Sequence, residues 1–289
     1  MKIFLCGIMM KEVTTKMMNH RLQEILRLRI AFQTMKDNWK ATLILTILFS
    51  GMAVMYAGMY PAFADMMAEM DQSGALDSFS FLSGFEDMAS YVGFLNIEMY
   101  QIFWVLILGM ILGFIAASVI SKEIESKTID VLMSNPVSRK QIVFEKFIGL
   151  IPMLLVINFA AMLVIMVVTV GIGEELNFWY LFLTHLISVP YFLSIMGIGV
   201  LISTLIDEKM KASIVMMAVV VAMYVFDSIA EMIPDYEFLG YISLKHFFKP
   251  YDVLKFGEID VVGTGVLLVV TLVALLGAVF YFEYKDIKV

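Results

Sequence analysis

The chain has 289 residues, of which 61% are apolar and only 16% charged, with a formal charge of −7. A soluble domain is about 45–50% apolar and about 25% charged, so this composition excludes one and points to an integral membrane protein. The single cysteine, Cys6, cannot form an internal disulfide and leaves the redox compartment open.

Residues 1–40 carry eight bases (Lys2, Lys11, Lys16, Arg21, Arg27, Arg29, Lys36 and Lys40) and no small-residue cleavage site, so they read as a cytoplasmic N-terminal segment rather than a signal peptide. Within it, residues 20–38 interleave apolar and basic positions. That pattern predicts an amphipathic helix at the membrane surface, with a plain basic lead-in as the alternative. Residues 41–289 follow as one membrane domain. A spanning helix needs about 20 consecutive apolar residues, and suitable runs lie near 41–64, 99–121, 147–173, 179–206, 212–233 and 261–282. They are apolar all round and do not alternate, which favours six helices over barrel strands. The expected fold class is an all-α integral membrane protein with six transmembrane helices.

The distribution of Lys and Arg sets orientation. The connection 65–98 holds seven acids and no base, and the turn at Glu174 and Glu175 also lacks a base. Seventeen of the 20 bases fall in the N-terminal segment, the connections after the second and fourth runs, and the tail. Both termini are therefore expected in the cytoplasm of a multi-pass plasma-membrane protein. The outer connection 232–260 differs from the rest, with Pro234, Pro250, three lysines and many aromatics, and is predicted to lie in or re-enter the outer leaflet.

The connection after the second run, SKEIESKTIDVLMSNPVSRKQIVFEK at 121–146, has the most specific pattern in the chain. Ile129, Leu132 and Met133 fall at helical spacing, Asn135 and Pro136 break the helix, and Ser138 with Gln141 three residues on has the form of a capping box. A helix–break–helix elbow follows. Glu123 and Glu125 sit close to the bilayer and are expected to find partners among Lys127, Arg139 and Lys146. With Thr128 and Val137 completing the pattern, these residues resemble the loop of the ABC-2 type permease family, the membrane subunits of ATP-binding-cassette exporters. The family loop reads acidic-x-acidic, Thr, a Leu-rich turn, Pro-Val-Ser-Arg, then Lys. The sequence departs from it at Lys127 and Ile129, where the family more often has Gly and Leu. KHFFKPYDVLKFGEID at 245–260 and the closing FEYKDIKV are similar to the family's segments at those places, so the resemblance covers nearly the whole chain.

The resemblance implies that Glu123, Glu125, Thr128, Leu132, Pro136, Val137, Ser138, Arg139 and Lys146 form a coupling helix docking on a cytoplasmic ATP-binding-cassette ATPase. It implies two copies of that ATPase, a second permease subunit of the same or a related kind, and surrounding lipid; nucleic acid is not an expected partner. ATP and Mg²⁺ would sit on the ATPase and no cofactor or metal on this chain, which has no G-x-x-x-x-G-K-[ST] loop and no catalytic histidine spacing. Asp227 and His185 are the candidates for the pathway through the membrane. The 25 methionines read as apolar filler rather than a metal site. The expected substrate is amphiphilic or hydrophobic, moved outward. A gradient-driven transporter or channel, and a non-transporting scaffold that binds an ATPase, stand as alternatives.

Overall fold

The computed structural model describes residues 29–72, 90–129 and 137–285. Among these there is no strand, and six helices are long and apolar enough to cross a membrane. A short helix α1 (Arg29–Asp37) turns at Asn38 into α2 (Trp39–Gln72), followed by α3 (Tyr91–Glu125), α4 (Arg139–Ile172), α5 (Phe178–Leu205) and α6 (Lys209–Met232). Two 3₁₀ segments, Pro234–Ile242 and Lys245–Phe247, and the short helix α7 (Pro250–Phe256) lead to α8 (Val261–Tyr284).

The helices run past the apolar stretches because their ends are satisfied locally. Hydroxyls of Thr42 and Thr46 donate to carbonyls one turn back, as lipid requires of polar side chains in a span. The Asn177 side chain accepts from the first-turn amides of α5, Asp260 does so for α8, and Gly173 at φ +78° closes α4. Within α3, residues Asn96–Leu108 take the wider i→i+5 bonding of a π-helix, burying Asn96, Met99, Tyr100, Trp104, Val105 and Leu108 on the side that meets the bundle.

The most buried span is α5, which packs on α8, α3 and α4. Its approach to α3 depends on small residues, since a Cβ at Gly199 would lie 2.8 Å from the Cβ of Ala116 and 3.0 Å from the Gly113 carbonyl. By contrast α2 and α6 are the least covered, with Ile44, Ile47, Val54, Ile214 and Val225 exposed on their outer faces. The six helices alternate in direction. Residues 29–40, 121–129, 137–146, 204–211 and 285 therefore gather at one basic end, and residues 174–177 and 234–260 at the other.

The N-terminal helix does not float on the bundle surface. The Glu145 carboxylate, only 5% exposed, accepts from the amides of Ile30 and Ala31, and a Cβ at Gly149 would lie 2.6 Å from the Ala31 carbonyl. An anion at the first turn of α1 meets unpaired N–H groups and the positive end of the helix dipole, so α1 is pinned flush on α4. Only part of the predicted 20–38 helix lies within the described residues.

Candidate functional site

At the basic end the chain leaves α3 through a helix terminus defined by its hydrogen bonds. The Lys127 amide donates to Ile124 O and the Thr128 amide to Glu123 O, with Lys127 at φ +55°, which together form a Schellman motif. The left-handed position is one that glycine fills without steric cost, and a non-glycine residue there costs about 1–2 kcal/mol. Lys127 stands where the related pattern more often has Gly, so that departure places a lysine on a backbone shaped for glycine. Lys127→Gly is expected to stabilise the protein, by up to about 1 kcal/mol after the added chain entropy of glycine is counted, read as a rise in thermal midpoint in detergent.

The motif returns Thr128 over the last turn of α3, where its hydroxyl donates to Glu123 Oε2 at 2.5 Å. Glu123 Oε1 accepts from Lys146 Nζ at 2.7 Å, and the Lys146 side chain is only 7% exposed. Of the three bases expected near this acid, Lys146 is thus its partner. Glu125 differs from expectation: its carboxylate accepts at 2.9 Å from the Lys209 amide, an otherwise unpaired donor in the first turn of α6.

On the far side of the break, Ser138 has extended geometry and its Oγ accepts from the Gln141 amide at 3.2 Å, starting α4. The predicted capping box is half formed, because the Gln141 amide group donates instead to Glu145 at 2.6 Å. Val137 packs on the core. Arg139 reaches neither acid. Its guanidinium donates to the carbonyls of Phe282, Glu283 and Lys285 at 2.9, 3.3 and 2.6 Å, capping the C-terminus of α8. Lys285 in turn bonds Thr204 O at 2.6 Å and Asp207 at 2.5 Å. Leu132 and Pro136 lie outside the described residues.

These bonds join every long helix of the basic end except α2, which enters through α1. Glu145 holds α1 to α4, Glu123 and Lys146 hold α3 to α4, Glu125 holds α3 to α6, Arg139 holds α4 to α8, and Lys285 holds α8 to the end of α5. A polar cavity of about 170 Å³ opens between them beside Lys122, Glu123, Lys146 and Lys209.

His185 lies fully buried in α5 with both ring nitrogens engaged. Asn158 Nδ2 donates to the His185 carbonyl at 2.7 Å, which fixes Asn158 Oδ1 as the acceptor facing His185 Nδ1 at 2.9 Å. The proton is therefore on Nδ1, and Nε2 accepts from the Tyr100 hydroxyl at 2.9 Å. Ser188 donates to Asn158 Oδ1, and the Trp104 ring stands edge-on 5.0 Å from the imidazole. The cluster ties α3, α4 and α5 together, and Asn158→Ala is expected to cost about 2 kcal/mol, since buried bonds between spans are worth about 0.6 and at most about 1.7 kcal/mol each. Thermal unfolding in detergent reads this loss.

Asp227, the other pathway candidate, is 1% exposed in α6. Its Oδ2 meets Lys245 Nζ at 2.5 Å, and Glu231 meets the same ammonium at 3.0 Å. Burial would push the Lys245 pKa down, but these two carboxylates outweigh it and hold it above the ordinary lysine value. The segment 234–260 is anchored to the bundle through this lysine.

Several of these residues gave no signal in the sequence. Glu145 and Asn158 are single polar residues next to or within an apolar run, and the one available cue was that such a residue needs a partner. Lys245 and Lys285 sit inside the two segments singled out by resemblance, at 245–260 and in FEYKDIKV, without having been assigned a contact. A family model described as ABC-2 family transporter protein matches residues 32–287. No curated protein matches the chain.

Proposed function

The chain belongs to the ABC-2 transporter family, and from that membership we propose that it is the permease subunit of an ATP-binding-cassette exporter, driven through residues 121–146 by a separate cytoplasmic ATPase. Two ATPase copies and a second permease subunit complete the assembly in this reading. The ATPases carry ATP and Mg²⁺.

The observation that carries the coupling role is the convergence at the basic end. A push on the connection between α3 and α4 acts through Glu123 and Lys146 on both helices at once. It passes to α6 through Glu125 and to α8 through Arg139. Coupling between distant sites needs a contiguous set of packed or hydrogen-bonded elements, and this set reaches four of the six long helices directly and α5 through Lys285. The amphiphilic or hydrophobic substrate is supported by the spans themselves, because residues 147–173, 179–206 and 261–282 contain no Asp, Glu, Lys or Arg. The exposed outer faces of α2 and α6 suit contact with lipid or with a second permease subunit.

The test is affinity purification in mild detergent from native cells, followed by mass spectrometry and by crosslinking from a photoreactive residue at position 140. A stoichiometric ATP-binding-cassette ATPase crosslinked at that position is the expected result. Purification of the chain alone under conditions that preserve other membrane complexes overturns ATPase coupling and leaves the gradient-driven or scaffold reading.

A further inference from the structure

At the end opposite the elbow, a cavity of about 280 Å³ lies between α3, the end of α6 and residues 245–252. Its wall includes Asn96, Asp227, Glu231, Lys245, Lys249 and Asp252. Two of these present buried acceptors without a partner among the described residues, Asn96 Oδ1 and Asp227 Oδ1, on side chains that are 5% and 1% exposed. A buried polar atom left unpaired is costly, so a pair of such acceptors on side chains that line one cavity calls for a donor. Asp227 Oδ2 is already taken by Lys245, and His246 Nδ1 stands 3.7 Å from Oδ1, beyond hydrogen-bond reach.

The charges narrow the chemistry. Three carboxylates, Asp227, Glu231 and Asp252, face two ammoniums, Lys245 and Lys249, and Lys249 also leans toward Asp260 at 3.9 Å. With the His246 imidazole, which also lines the cavity, in its neutral form, the wall has a negative excess and offers acceptors, which disfavours an anion and suits a cation that carries N–H donors. Lys245 shows the fit from within the chain, its ammonium bridging Asp227 and Glu231.

We propose that this cavity binds a primary ammonium group, with Asp227 Oδ1 and Asn96 Oδ1 as its acceptors. The ammonium could belong to a soluble amine or to an amino headgroup of a lipid. Binding here does not depend on ATPase coupling and is read on the purified chain alone.

The experiment measures binding of propylamine to the protein in phosphatidylcholine nanodiscs, against tetramethylammonium, a cation without N–H donors. Propylamine is expected to bind roughly tenfold or more tightly than tetramethylammonium, as hydrogen bonds to charged groups require. Asn96→Ala and Asp227→Asn are expected to weaken propylamine by a similar factor and Asn96→Asp to strengthen it. Asn96→Ala leaves the Asp227 to Lys245 pair in place, so it decides the matter if Asp227→Asn does not fold. Equal binding of the two cations, or unchanged propylamine binding in folded Asn96→Ala, overturns the proposal. Replacing phosphatidylcholine with phosphatidylethanolamine separates the sources. Loss of propylamine binding with retained phosphatidylethanolamine in native mass spectrometry assigns the site to the lipid headgroup, and undiminished propylamine binding assigns it to a soluble amine.

Discussion

Lys146→Ala is expected to lower stability by about 3 kcal/mol, the lower part of the range for removing one partner of a buried ion pair. The Lys146 ammonium is nearly enclosed and holds Glu123 Oε1 at 2.7 Å, while Glu123 is 20% exposed and keeps its bond from Thr128. Those two features place the cost toward the lower end. The larger part of the loss comes from Glu123, left with a desolvated negative charge at the end of α3, so the double variant Glu123→Gln with Lys146→Met is expected to recover much of it. Thermal unfolding of Glu123→Gln, Lys146→Met and their double variant forms a cycle that isolates the pair. An additive cycle would show that the two residues act independently and that α3 and α4 are held at this end by other contacts. Under the proposed function, Lys146→Ala also removes the link through which the elbow pulls α3 and α4 together. Substrate-stimulated ATP hydrolysis is then expected to fall more than the fold does.

Much of this architecture was legible because membrane burial writes itself in long apolar runs. Six helices followed from length and hydropathy, and the start of α4 followed from Ser138, whose cap depends only on residues three apart. Local rules of that kind need no knowledge of the tertiary fold. The π-helical stretch Asn96–Leu108 had no such rule, since its composition is that of an ordinary spanning helix. The His185 cluster was illegible for a different reason: Tyr100, Asn158 and His185 come from three helices, and a lone polar residue in an apolar run says that a partner exists without saying where. Arg139 shows the same limit most clearly. Reading side chains against side chains suggested Glu123 or Glu125, whereas its acceptors are backbone carbonyls at the end of α8, which no residue type advertises.

That placement changes what Arg139→Glu is expected to do. A guanidinium in front of three carbonyls satisfies orphan acceptors at a helix C-terminus and complements the negative end of its dipole. Glutamate there loses all three bonds and sets a carboxylate against the same carbonyls, so the end of α8 is expected to fray, at a cost of about 2–3 kcal/mol. Lys285 would lose its anchoring geometry to Thr204 and Asp207 as the turn unwinds, loosening α5 as well. Coupling is therefore expected to fail through the base of the elbow rather than through a lost contact with the ATPase, and the two routes give different data. If Arg139 is a positioning residue, Arg139→Glu speeds proteolysis after residue 282 and greatly reduces ATP-driven transport, while the ATPase still co-purifies. Arg139→Lys, which keeps a single charged nitrogen in place of the Nη1 that makes these contacts but on a shorter side chain, falls between the two. Loss of ATPase capture with a protease-resistant tail would instead place Arg139 on the docking face itself.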